Sequence, residues 1–327
     1  MAELKLASGL WVFDSGCDRF VPGGYRDRVA FRELLDLAAK VPGLKGVECH
    51  ESDFDDFDIA EYKRVLDGHG LVTSNVNTNV WGKREFTRGA FSHPDAKIRS
   101  AAVGRGKNAV DIAKEVGAAS IGLWLGADGF DYPFQVHYVK HWDYMMDSIR
   151  QVAEHAAQAG VKVGIEYKLK EPRTHMSICD CGKAMAACQE LGMDNVGVVI
   201  DFGHSLMARE NPAEQLAYLH RSKKLFNVHF NDCYGEWDDD MIAGTVRFWE
   251  TLEFIYYVKE CGYDGWLGLD QFPFREDPVK AATMSIRNML GMWEMVSKLD
   301  VPALKAAQAN ADAIATQEII RKVVFSN

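Results

Sequence analysis

Two hydrophobic rhythms alternate along this chain. Short runs rich in Val, Ile and Leu mark eight candidate strands, at Leu4–Phe13, Gly46–His50, Leu71–Asn79, Ser120–Gly126, Lys162–Lys168, Val196–His204, Phe226–Asp232 and Trp266–Phe272. Between them the period lengthens to that of a helix. Tyr138, Trp142, Met145, Ile149, Val152 and Ala156 recur at steps of four and three. Val279, Ala282, Ile286, Met289, Trp293 and Val296 do the same after Pro278, a residue suited to a first helical turn. The Met and Trp stripes read as helix-on-barrel core rather than as a cofactor box. Gly160, Gly192 and Gly262 stop helices just before the next strand. Strand and helix repeated eight times predict an α/β fold, a (β/α)8 TIM barrel, over residues 1–300 as one catalytic domain. A last helical stretch, Val301–Lys322, follows the eighth unit. Residues 301–327 are therefore expected to form a C-terminal helical extension, packed on the barrel's own side or on a neighbouring subunit.

Four of the apolar runs close on polar residues. These are Glu166 in Ile-Glu-Tyr-Lys, Asp201 in Ile-Asp-Phe-Gly-His, His229 in Val-His-Phe-Asn-Asp and Asp270 in Leu-Gly-Leu-Asp-Gln. In a barrel of parallel strands those ends converge on the face that carries active sites. Three carboxylates and an imidazole meeting there would repel one another without a cation, which points to a hard divalent metal. One buried Asp at a strand end is often mere packing; four polar residues at strand ends are not explained that way.

The cluster holds more than one metal's worth of ligands. Asp201 and His204 stand three residues apart, and Asp238-Asp239-Asp240 follows His229 closely, with Asp238 and Asp240 on one side if extended. Most acidic triplets are solvated loops; this one directly follows a strand bearing a candidate ligand. Two metals per subunit are expected: one held by Glu166, Asp201, His229 and Asp270, the other by Asp201 as a bridge with His204, Asp238 and Asp240. Oxygen-rich sets with one imidazole suit manganese first, then cobalt or magnesium, rather than zinc.

Charge and cysteine content narrow the class. A net charge of −10 argues against binding a phosphate backbone, so no nucleic-acid partner and no DNA-repair nuclease is expected. The opening Met-Ala-Glu-Leu-Lys-Leu is not a signal-peptide start, and no apolar run is long enough to span a bilayer. The seven cysteines include no Cys-x-x-Cys pair, and bridging within Cys179-Asp-Cys181 would be strained. Reduced thiols and a cytoplasmic location, with no membrane association, are the expectation.

The chain resembles the L-rhamnose isomerase branch of the xylose-isomerase-like barrels over nearly its whole length. The resemblance rests on Ser8-Gly9-Leu10-Trp11 with Arg19-Phe20, His50, Asn77-Thr78-Asn79, Phe91-Ser92-His93 and Leu123-Trp124-Leu125-Gly126. It rests most specifically on Glu166-Tyr167-Lys168-Leu169-Lys170-Glu171-Pro172, Asp201-Phe202-Gly203-His204, His229-Phe230-Asn231-Asp232 with Asp238-Asp239-Asp240, and Asp270-Gln271 with Asp277-Pro278. The resemblance implies a structural metal on Glu166, Asp201, His229 and Asp270, and a catalytic metal completed by His204, Asp238 and Asp240. The chain departs from the family in one extra residue around Glu236-Trp237, in the aromatic Gln-Phe-Pro-Phe-Arg after Asp270, and in beginning almost at its first strand.

The implied activity is a metal-dependent aldose–ketose isomerase, an intramolecular oxidoreductase acting on a free sugar such as L-rhamnose or another aldose by a 1,2-hydride shift. Lys168, on the face of Glu166, is expected to donate to the substrate carbonyl, although strand-end lysines are often solvent-facing. His50 would act on the ring oxygen or hold the open-chain sugar, and Asp270 is the position from which epimerase relatives transfer a proton. Trp11 and Trp124 offer flat walls to the sugar's C–H faces. Asn79 and Phe272 are expected substrate contacts, with Glu171 and His175 as further hydroxyl partners. Phe130, Trp237, Phe272 and Phe274 suggest an apolar patch fit for a deoxy sugar's methyl group. No Arg cluster with a Gly-rich phosphate loop accompanies the site, so the sugar is expected to be unphosphorylated. A homo-oligomer, dimer or tetramer, is expected. The rivals are a ketose 3-epimerase of the D-tagatose 3-epimerase type, using one metal and two carboxylates, and a non-catalytic sugar-binding protein.

Overall fold

The apolar runs fold as the parallel strands of a closed barrel in the computed structural model, which describes residues 4–325. The strands are β1 (Lys5–Gly9), β2 (Gly46–His50), β3 (Val72–Asn77), β4 (Ser120–Trp124), β5 (Lys162–Glu166), β6 (Val196–Asp201), β7 (Leu225–Phe230) and β8 (Trp266–Leu269). Each pairs with its neighbours in chain order, and β1 closes the ring, with Ser8 opposite both Val47 of β2 and Leu269 of β8. Near-continuous burial of β6 explains its unbroken Val/Ile run. Helices α1 (Phe31–Ala38), α2 (Ile59–His69), α3 (Ala96–Val116), α4 (Tyr138–Ala159), α5 (Cys181–Leu191), α6 (Phe202–Met207), α7 (Pro212–Arg221), α8 (Phe248–Glu260) and α9 (Pro278–Ser297) occupy the connections.

Both helix stripes lie largely where their period puts them. Met145, Ile149, Val152 and Ala156 of α4 are buried, as are Ala282, Ile286, Met289 and Val296 of α9. Tyr138, at the start of α4, is exposed instead. Asp277 caps α9 by accepting from Lys280 N at 2.9 Å, and α4 ends on Gly160 at φ +73°, a left-handed cap that favours glycine.

The strands are shorter than the apolar runs, and the differences shape the site. β1 does not reach Phe13. It stops at Gly9, and Leu10–Phe13 form a 3-10 turn that folds the Trp11 indole back over Gly9. A Cβ on Gly9 would lie 2.2 Å from that ring. β6 stops at Asp201, not His204, because the Asp201 carboxylate accepts from His204 N at 2.8 Å and caps α6. β8 likewise ends at Leu269, leaving Asp270 and Phe272 in the following loop. The predicted single stretch Val301–Lys322 is two helices, α10 (Val301–Ala309) and α11 (Ala313–Val324), broken at Ala311 with φ +51°. Ile319, Ile320 and Val324 pack against the barrel's own core. The outermost residues of the two predicted units, 1–3 and 326–327, lie outside the described residues. All seven cysteines are free, and no helix among the described residues is long and apolar enough to cross a membrane.

Candidate functional site

Glu166 at the end of β5, Asp201 at the end of β6, His229 near the end of β7 and Asp270 just past β8 converge at the C-terminal mouth of the barrel. One ligand atom from each lies within 4.8 Å of all the others. His229 Nδ1 stands 3.2 Å from Glu166 Oε2 and 3.2 Å from Asp270 Oδ2. The other Asp270 oxygen accepts from Trp11 Nε1 at 2.7 Å, so the back-folded turn after β1 aims this carboxylate.

Asp201, His204 and Asp238 form a second group within the same spacing, sharing Asp201 with the first. His204 rides on α6 with Nε2 3.1 Å from Asp238 Oδ2 and Nδ1 3.3 Å from Glu166 Oε1. Asp240 stands beside this group and not in it: its Oδ1 accepts from Asn231 Nδ2 at 3.2 Å, and its carbonyl accepts from Phe272 N. Lys168 lies two residues past the end of β5, not on the strand itself, and its ammonium contacts Asp238 and Glu171, each at 2.7 Å. Glu171, expected to meet a sugar hydroxyl, is thus a partner of Lys168.

The electrostatics are those of a crowded anionic pocket. Burial, with Asp238, Asp270 and Glu166 close by, pushes the Asp201 carboxyl up to about 7 against the pull of His204. Burial also raises Asp240 well above the carboxylate range, with Asp238 and Asp270 adding to it. Burial would lower both imidazoles, but Asp201 and Asp238 raise His204, and Glu166 and Glu48 raise His229. Lys168 is buried yet held protonated by Asp238, Glu171 and Asp240. A divalent cation fits this donor set. Carboxylate oxygens and imidazole nitrogens face one another at cation-bridging distances. The Nδ1 atoms of His204 and His229 and Oδ1 of Asp238 are buried without a hydrogen-bond partner.

One buried acid had not stood out in the sequence. Glu48 on β2 reaches across the barrel interior to His229 Nε2 at 3.0 Å and accepts from the amides of Asn75, Asn77 and Asn227. Burial opposes its ionisation, but His229 and the amides hold its pKa below the usual value. Its only sequence signal was a Glu two residues before His50, on the same strand face.

An aromatic arc borders the site. The Trp11 ring lies 4.7 Å from His50, His50 lies 6.1 Å from Trp81, and Trp81 lies 5.2 Å from Trp124. Lys168 Nζ sits 5.2 Å over Trp124. Trp81, on the loop after β3, is the member the strand pattern missed. Asn79 does not join the site, since its side chain accepts from Gly82 N and donates to Ser52. The Phe130 ring lies tilted against those of His175 and Tyr138 beside a two-residue antiparallel pair, Gly129–Phe130 with His175–Met176, so neither Phe130 nor His175 forms part of the arc. Phe272 stacks on Phe274, which meets Tyr25. Trp237 is half-exposed, with Lys170 over its ring.

Comparison with known proteins agrees with this architecture. Residues 35–289 match the model of the xylose isomerase-like TIM barrel. The chain belongs to that family of sugar isomerases and epimerases. It is 27% identical over 336 residues to "Probable sugar isomerase mlr5709" of Mesorhizobium japonicum, covering 97% of this chain and 76% of that one. It is 26% identical over 277 residues to the xylose isomerase of Thermus thermophilus, covering 80% and 71%. A solved L-ribulose 3-epimerase superposes with a TM-score of 0.72 at 15% identity, covering 95% of this chain and 99% of that one.

Proposed function

We propose that this protein is a divalent-metal-dependent aldose–ketose isomerase acting on a free, unphosphorylated sugar, nearest in kind to the L-rhamnose isomerases. The observation that carries the reading is the pair of ligand groups joined through Asp201, with a buried, protonated Lys168 against the second. Glu166, Asp201, His229 and Asp270 would hold one cation, and Asp201, His204 and Asp238 the other. Bound there, divalent cations supply Lewis-acid polarisation of a sugar's carbonyl and hydroxyl oxygens.

The chain's own residues then have distinct tasks. Lys168 presents N–H donors to the C1 oxygen as negative charge develops on it. Hydride passes from C2 to C1 and a proton passes from the C2 hydroxyl to the C1 oxygen, so no outside oxidant or reductant is needed. His50 holds the open chain, and the Trp11–His50–Trp81–Trp124 arc covers the sugar's C–H face and excludes water from the hydride path. Trp11 commits Asp270 to the ligand role by holding one of its oxygens.

The rival 3-epimerase reading draws on Glu166 and Asp270, which both face His229 Nδ1 and could act on opposite sides of a carbon. It leaves Lys168 and the His204–Asp238 pair without a task. A panel of free aldoses and ketoses, led by L-rhamnose and read out as product identity, tests the choice. An aldose should convert to its 2-ketose, lose that conversion on chelation and regain it with manganese or cobalt. Exchange between ketoses alone would make the protein an epimerase. Full turnover by a metal-free sample would remove the metal, and no turnover on any sugar would favour a binding protein.

A further inference from the structure

We propose that Glu48 is the positioning residue that decides which nitrogen of His229 faces the ligand cluster, and so sets the affinity of the first metal site. The inference rests on the metal-dependent reading above. Glu48 is 1% exposed and lies on β2, while His229 lies on β7, with β1 and β8 between them in the ring. Both of its oxygens are hydrogen-bonded inside the barrel. Oε1 accepts from Asn227 Nδ2 at 2.9 Å, and Oε2 accepts from Asn77 at 2.9 Å and Asn75 at 3.2 Å. Oε2 also stands 3.0 Å from His229 Nε2.

The surrounding strands are shaped around this carboxylate. A Cβ at Gly268 on β8 would lie 2.6 Å from Glu48 Oε1, and one at Gly122 on β4 would lie 2.0 Å from Asn77 Oδ1. Ser120 fixes Asn75 from the other side by donating to its Oδ1 at 2.8 Å. Five strands thus build one oriented acceptor beneath the histidine.

An ionised carboxylate only accepts, so the hydrogen shared with His229 must sit on Nε2. When a cation takes the place of the proton that Glu166 and Asp270 would otherwise hold on the ring, the Nδ1 lone pair is the one left for the cavity where those two carboxylates converge. A carboxylate behind a ligating histidine fixes its tautomer and ring orientation, and its loss typically weakens metal binding about 10–100-fold. Glu48→Gln keeps the shape but can place an N–H against Nε2, which drives the hydrogen to Nδ1 and turns that atom into a donor.

Manganese uptake by metal-stripped protein, followed through the electron paramagnetic resonance of free Mn2+, tests the assignment. Glu48→Gln should bind its tighter ion about 10–100-fold more weakly than the unaltered chain, with unchanged circular dichroism. Gly268→Ala, which keeps Glu48 but crowds Oε1, should weaken binding in the same direction. In the unaltered protein loaded with Mg2+, histidine 15N resonances should put the hydrogen of His229 on Nε2; this needs no variant to fold. Equal manganese affinity in Glu48→Gln, or a ligated Nε2, would overturn the role of Glu48 and leave the metal site standing. No divalent uptake by the unaltered protein would remove both readings together.

Discussion

Asp201 is the only residue shared by the two ligand groups, and its carboxylate also caps α6, which carries His204. Neutralising it should therefore do more than neutralising Asp238. Asp201→Asn is expected to impair uptake of both ions, whereas Asp238→Asn should abolish turnover while one ion stays tightly held. Metal content per chain after gel filtration checks this, and equal losses in the two variants would mean Asp201 is not shared. Lys168 makes a different contribution. It is buried between Asp238 and Glu171 and remains charged. Lys168→Met should slow turnover about a hundredfold or more, the usual loss for one electrophilic donor, with metal uptake retained. Unchanged turnover would reduce Lys168 to an ion-pair partner. Glu166, Asp201, His229 and Asp270 were legible in the sequence because a polar residue ending an apolar run is conspicuous. Glu48 was not, since its partner His229 lies 181 positions away and only closure of the barrel brings them together. Asn79 looked like a substrate contact for the same local reason, but the loop after β3 uses its side chain to hold Gly82 and Ser52.

Elements, more than single residues, account for the departures from the hydrophobic pattern. The apolar runs continue past the true strand ends because the residues beyond stay buried in turns that re-aim side chains: Leu10–Phe13 turns Trp11 onto Asp270, and α6 turns His204 toward Asp238. Periodicity cannot separate a buried strand from the first buried turn after it. α4 is tied to the loop after β5 by His141, whose Nε2 lies 2.6 Å from Ser177 Oγ. Burial, aided by Lys183 and Arg173 and opposed by Asp128, lowers the pKa of His141 below its ordinary 6.5. Folding then favours the neutral ring, so its contribution to stability is complete above 6.5 and is lost as pH falls through the lowered folded-state value. His141→Gln should show a smaller drop in melting temperature between neutral and mildly acidic buffer than the unaltered chain. An identical drop would show that His141 does not contribute to the acid sensitivity.

At the scale of the whole molecule, barrel closure brings carboxylates from four successive units to one mouth, and the aromatic arc from the first four units borders them. On the proposed reading Lys168 would serve as the electrophile at a carbonyl, while Glu166, Asp201, Asp238 and Asp270 would all be engaged as ligands, with Asp270 further held by Trp11. Asp240 is drawn toward the neutral form beside them. With those ligands committed, no carboxylate in the cluster would be left over as a base, so the proposed isomerase should work by hydride transfer rather than through an enediol. The most direct test is to run the isomerisation in heavy water with the aldose identified by the sugar panel and to read the ketose by proton and deuterium NMR. Hydrogen should pass from C2 to C1 with little or no solvent deuterium at C1. Extensive deuterium at C1 would contradict the hydride shift and mark Asp270 or Glu166 as a proton-transferring base, and deuterium at C3 of a ketose would establish the epimerase instead.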